Sequence, residues 1–143
     1  MTNAEDVFEI TMALMDELGQ NGRADSSDNK EYRDRCLCIL NALSGELYPY
    51  SGTFPEKRIQ GRPEAPLIKS FESAIDLDDY ICRSLLPYGL AAQLLMGEDP
   101  EGAAFCLSRY ESMKRGLSRG MPAGSCGIED VYGGIGFGEF SRW

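Results

Sequence analysis

Apolar residues recur at helical spacing in four separate stretches of this chain, a pattern that predicts a helical protein. The first stretch carries Val7, Ile10, Leu14 and Leu18 in one stripe, widened by Phe8, Met12 and Met15. Its start is expected at Thr2 or Asn3, with Glu5 completing a Thr-x-x-Glu capping box. A polar connection over residues 19–27 leads to a second helix opening near Asp28, where Glu31 again stands three residues on. This helix presents Tyr32, Cys36, Ile39, Leu40, Leu43 and Leu47. Pro49 stops it, because proline turns the residue before it away from helix.

The third stretch is different in kind. Between Ile81 and Met96 only Arg83, Ser84 and Gln93 are clearly polar, so the helix has almost no face for water. A helix apolar all round must be enclosed by protein or by lipid. Its uninterrupted run, residues 85–93, is far shorter than the roughly 20 residues of a membrane span, which leaves protein. Enclosure by one chain of 143 residues is demanding, so neighbouring subunits are expected to supply part of the cover. One of Asp76, Asp78 and Asp79 is expected to cap this helix, and Pro87 to kink it. Asp99 as N-cap and Pro100 as first helical residue then launch the last helix. Its stripe is Ala103, Cys106, Leu107, Tyr110, Met113 and Leu117.

Two stretches lack helical pattern. Residues 50–66, rich in Pro, Gly and charge, form a long excursion of the kind that binds or moves. Partial alternation at Leu67, Lys69, Phe71, Ser73 and Ile75 then fits a short strand or an extended arm. From Gly120 the chain is dense in glycine, with Tyr132, Phe137, Phe140 and Trp143 spaced along it. The expected fold is therefore mainly α: a compact bundle of about four helices with a long loop or short β-hairpin excursion. Residues 1–119 form the helical domain and residues 120–143 an extended tail.

Charge narrows the function. A net charge of −9 and 26% charged residues suit a globular acidic protein. They disfavour sequence-independent nucleic-acid binding and attraction to an anionic membrane surface. Residues 1–18 hold five acids rather than a basic-then-apolar signal, so synthesis in the cytosol is expected. With Cys36, Cys38, Cys82, Cys106 and Cys126 the cysteine count is odd, which favours free thiols over disulfides. Histidine is absent, which removes the usual general base and zinc ligand. The pairs Asp78/Asp79 and Glu98/Asp99 stand at helix starts, where carboxylates complement the helix dipole. The run from Gly133 to Gly138 lacks the spacing and the lysine of a phosphate loop. No cofactor, metal site or catalytic residue is expected. Residues 1–31 carry a net −6 and residues 105–120 a net +3, the latter from Arg109, Lys114, Arg115 and Arg119 against Glu111. Dipole matching accounts for part of this, and the excess suits a head-to-tail interface between subunits.

Several motifs, in order, carry a resemblance. They are Leu86-Pro87-Tyr88-Gly89-Leu90-Ala91-Ala92, Glu98-Asp99-Pro100, Arg109-Tyr110-Glu111, Asp130-Val131-Tyr132-Gly133-Gly134 and the closing Arg142-Trp143. Together they resemble the small head–tail connector (adaptor) proteins of tailed phages and prophages. The resemblance implies a structural virion protein, present in the host cytoplasm during assembly, that forms a homo-oligomeric ring. Such a ring docks beneath the portal protein, extends the DNA channel without reading sequence, and receives a tail-completion or second adaptor protein. The apolar helix, with Leu86, Pro87, Tyr88, Leu90 and Leu94, would form the subunit core together with Tyr110. Arg109, Lys114, Arg115 and Arg119, with Tyr132, Phe140 and Trp143 of the tail, would meet neighbours. The rivals are a monomeric or dimeric helical regulator, and a metal-dependent hydrolase built on Asp76, Asp78 and Asp79.

Overall fold

The computed structural model describes residues 1–16, 29–52 and 64–120, the last three as helical backbone only. Four α-helices dominate: α1 (Ala4–Leu14), α2 (Lys30–Leu47), α3 (Leu86–Leu95) and α4 (Pro100–Gly120). A 3₁₀ turn, Tyr48–Tyr50, closes α2 where Pro49 interrupts it. A π-helical turn, Ile81–Leu85, leads directly into α3. No β-strand forms among the described residues. Residues 64–77 form an arm outside any helix, extended up to a turn at Ser70–Ser73, whose Ala74 makes an isolated bridge with Asn3.

Helix α3 sits at the centre and packs against α1, α2 and α4 in turn. Leu86, Pro87, Gly89, Leu90, Ala91, Ala92 and Leu94 are all buried, while Tyr88 is half-buried. One chain thus encloses its apolar helix without help, contrary to the expectation that a neighbouring subunit must cover it. The cover comes from Phe8 and Met12 of α1, from Leu40, Leu43 and Leu47 of α2, and from Tyr110 of α4. The disturbance expected at Pro87 takes the form of the widened turn before it. There the Leu86 N–H donates to the carbonyl of Ile81, five residues back. Proline has no N–H to donate, and its ring would clash with the carbonyl of an ordinary preceding turn.

Gly89 allows the closest approach in the bundle. A Cβ built there would lie 3.0 Å from two ring carbons of Tyr110 and 3.1 Å from Leu43 Cδ1. The bare backbone of α3 therefore receives α4 on one side and α2 on the other.

The ends of the helices differ from the sequence expectation in instructive ways. Asn3, not Thr2, caps α1: its side chain accepts from the Asp6 N–H, and Asp6 accepts in return from Asn3. Thr2 is released for another task. Its N–H and hydroxyl both donate to Asp79 Oδ1, at 2.9 and 2.8 Å. The other first-turn amides of α1 go to the extended arm, Ala4 to the Ser73 carbonyl and Glu5 to that of Phe71. The buried stripe of α1 is Ala4, Val7, Phe8, Thr11 and Met12. Ile10 is only half-buried, Leu14 is exposed and Leu18 lies outside the described residues. In α2 the residue before the first turn is Asn29, whose side chain makes no capping bond, and Asp28 lies outside the described residues.

Asp78 and Asp79, before the buried helix, turn their carboxylates to other segments of the chain. The carbonyl of Asp78 does accept the first helical bond, from Cys82. Its carboxylate instead takes the Gly52 N–H at 2.9 Å, while Ser51 Oγ accepts from the Asp78 N–H. Asp76 accepts from the Tyr48 hydroxyl, and Asp79 holds Thr2. The aspartates fasten the chain's start and the end of α2 to the entry of α3. Asn41 does similar work in mid-helix: its amide accepts from the Ile68 N–H and donates to the Ile68 carbonyl, at 2.7 and 3.0 Å. Arg33 joins the same seam, forked onto Glu5 at 2.7 and 3.0 Å, with its guanidinium 3.9 Å from the centre of the Phe71 ring.

Glycine substitutions should separate packing from propensity. Gly45 and Gly116 have open space where a Cβ would stand. Gly45→Ala and Gly116→Ala should each stabilise by about 0.5–1 kcal/mol through helix propensity. Gly89→Ala should lower the melting midpoint instead, because Tyr110 and Leu43 are both buried and cannot step aside. Thermal unfolding of the three variants checks this.

The Thr2–Asp79 bonds should show in acid. Two hydrogen bonds from Thr2, side chain first and then backbone, hold the Asp79 carboxyl below its ordinary range. Their stabilisation is present above the ordinary carboxyl pKa and is lost as pH falls through the lowered one. Thr2→Val should therefore weaken the fold at neutral pH, with parent and variant converging in acid. Denaturant titrations at both pH values measure it.

Candidate functional site

Between α3 and α4 the chain turns within four residues, and this turn organises the exposed chemistry of the molecule. The N–H groups of Glu98 and Asp99 both donate to the Leu95 carbonyl. Asp99 Oδ1 accepts from the Gly102 N–H at 3.1 Å, the side-chain cap expected ahead of Pro100. The Glu98 carboxylate accepts from the Tyr32 hydroxyl, which ties the turn to the start of α2.

Helix α4 buries Ala103, Cys106 and Tyr110 against α3, with Met113 and Leu117 half-buried below them. Leu107, expected in that stripe, is 42% exposed. Phe105, on the opposite flank, is 67% exposed, and Met96 at the turn is 57% exposed. Each flank of α4 borders a depression. One, of about 500 Å³, lies among Leu14, Tyr32, Tyr88, Glu98 and Phe105. The other is an apolar groove of about 200 Å³ bordered by Met96, Pro100, Ala104 and Leu107.

The cations proposed for an interface have unlike surroundings. Arg109 is exposed, with its guanidinium 6.0 Å above the Tyr88 ring. Arg115 is exposed. Lys114 is engaged within the subunit: its ammonium pairs with Glu46 of α2. That hydrogen bond is the main cause holding the Lys114 pKa above its ordinary value. The side chain of Arg119 lies outside the described residues, as do Tyr132, Phe140 and Trp143. Structure thus brings Arg109 and Tyr88 together and leaves the rest of the set dispersed along α4. The exposed Phe105 and Met96 were not singled out from sequence. Phe105 was nonetheless readable, since it falls off the Ala103–Cys106–Tyr110 stripe.

Among the described residues, no three Cys, Asp or Glu side chains gather as a metal site would require. Asp76, Asp78 and Asp79 are turned toward three different partners. No described helix is long and apolar enough to cross a membrane. Burial, the largest cause, pushes the thiols of Cys36 and Cys82 up to about 12, and raises that of Cys106 as well. A thiol held protonated is a poor nucleophile. The buried Tyr110 hydroxyl makes no hydrogen bond of good geometry, and burial, then the nearby Glu46 carboxylate, raises its pKa.

Alkylation of the folded protein should mark exposed Cys38 while sparing buried Cys36 and Cys82 until the chain unfolds. Peptide mapping after a timed pulse of iodoacetamide reads this directly. Comparison with protein-family models, with curated proteins and with solved structures finds no match to this chain.

Proposed function

We propose that this protein is a structural head–tail connector, assembling as a ring beneath a phage portal, extending the DNA channel and receiving the tail. Sequence motifs carry the family resemblance, and the outer surface of α4 is the structural observation that supports it. That helix leaves Phe105, one turn before Arg109, exposed on one flank and Leu107 on the other, with Arg115 exposed further along. Exposed large apolar side chains beside two depressions, one of them apolar, suit a protein that is completed by assembly. Asp6, Glu9 and Asp16 are exposed on and just after α1, an acidic counterpart for the basic end of α4. A contact joining unlike surfaces of successive copies closes into a ring when the rotation permits. An acidic channel wall would keep DNA from adhering as it slides.

A second reading, a monomeric or dimeric helical regulator, is favoured by the self-contained core. Because α3 needs no neighbour, assembly is an addition to a finished subunit rather than a condition of folding. In the connector reading the purified protein should be monomeric when dilute. It should associate weakly at high concentration and low salt, and salt should weaken that association.

Charge reversal tests the proposal. Arg115→Glu with Arg119→Glu should leave the melting midpoint nearly unchanged while abolishing both low-salt association and capture by portal rings. Sedimentation velocity and portal pull-down measure the two effects. Retention of both by the double variant would overturn the head-to-tail model. A regulator would show neither activity in the parent.

A further inference from the structure

The apolar groove between α3 and α4 has no use in the subunit's own packing. Its border is formed by Ala92, Met96, Pro100, Ala103, Ala104 and Leu107. Small residues form its floor, while exposed Met96 and Leu107 stand over it like walls. A volume of about 200 Å³ is on the scale of the roughly 150 Å³ cavities that accept a benzene ring. Aromatic side chains are thus its natural occupants.

The chain itself carries candidates. Beyond Gly120, residues 121–143 include Phe140, Arg142 and Trp143, the sole tryptophan. From Gly120 back to Pro100 along α4 is about 30 Å at 1.5 Å per residue. Twenty residues of extended chain span up to about 65 Å, so Phe140 to Trp143 can return to the groove with slack. Charge favours an antiparallel return. Acidic Glu129 and Asp130 would pass the basic end of α4, where Arg115 and Arg119 outnumber Glu111. Arg142, the one base beyond Gly120, would arrive at the acidic turn carrying Glu98, Asp99 and Glu101, all exposed, with Glu139 one acid against it three residues earlier. A tether of this length also presents the aromatics at millimolar effective concentration, so a modest pocket suffices.

We infer that the groove is the docking site for the aromatic end of the same chain, with Trp143 as the inserted ring and Arg142 beside the α3–α4 turn. The contact is a latch on α4, and it does not depend on the connector reading.

Trp143 reports on the latch by itself, being the only indole in the full chain. Its emission should be blue-shifted and protected from iodide at every protein concentration. Ala104→Glu, at an exposed position where glutamate suits a helix, should red-shift the emission and restore quenching with no loss of melting temperature. A chain ending at Gly120 should bind a hydrophobic dye more strongly than the full chain, and Ala104→Glu in that shortened chain should remove the gain. Emission of a fully exposed indole in the parent would overturn the proposal, as would a spectrum indifferent to Ala104→Glu. A blue shift that vanishes on dilution would also overturn it, because the occupant would then be the tail of a second copy.

Discussion

Everything in this fold depends on how closely α2 and α4 approach the backbone of α3. A helix with no polar face can lie at the centre of a small domain only if its neighbours cover it completely. Gly89 permits that by letting the Tyr110 ring and Leu43 rest on bare backbone. Interiors are packed to crystal density, so a gap the size of one methyl group is felt throughout. Buried leucines at Leu86 and Leu90 would each cost about 2–5 kcal/mol on truncation to alanine, which marks how much stability is concentrated here. With α3 enclosed by α1, α2 and α4, the apolar helix needs no further cover.

A second layer of organisation is polar and runs along the seam between the chain's beginning and the arm before α3. Thr2, Asn41, Ser51, Asp78 and Asp79 join segments far apart in sequence through side chain–to–backbone bonds, and Asp76 through the Tyr48 hydroxyl. Arg33 closes the seam between Glu5 and the rings of Phe8 and Phe71. Among them, the two bonds of Asn41 satisfy the backbone of Ile68 in an arm that belongs to no sheet. Leaving such a group buried and unpaired would cost about 1–3 kcal/mol, so the polar residues here are structural in the strict sense. They also explain why an aspartate cluster that could suggest a cation site is instead divided among three partners.

The exposed chemistry is concentrated at α4 and the turn before it, where apolar side chains stand over two depressions and the cations are spread along the helix. Lys114 belongs to the fold through Glu46, while Arg109 and Arg115 are free to meet a partner. A connector that completes its subunit first and assembles second would keep its joining surfaces on such an outer helix.

Sequence by itself determined the number and class of the elements, because helical periodicity and the stops at Pro49 and Pro100 are local properties. It also determined that α3 must be buried and that Asp99 caps α4, since neither depends on distant residues. The outer helix's bias toward cations was legible for the same reason. What covers α3 was not legible: coverage is a sum over three helices, and only their arrangement shows that one chain is enough. Nor could spacing distinguish Thr2 from Asn3 as the cap of α1. Both are good caps, and the choice falls to Asn3 because Asp79, 77 residues away, claims Thr2. The aspartates before α3 look like caps in sequence and act as fasteners in space, because a carboxylate takes whichever amides the fold brings within reach. Local rules decide which structures a segment can form. The tertiary structure decides which polar groups meet and which apolar ones remain in water.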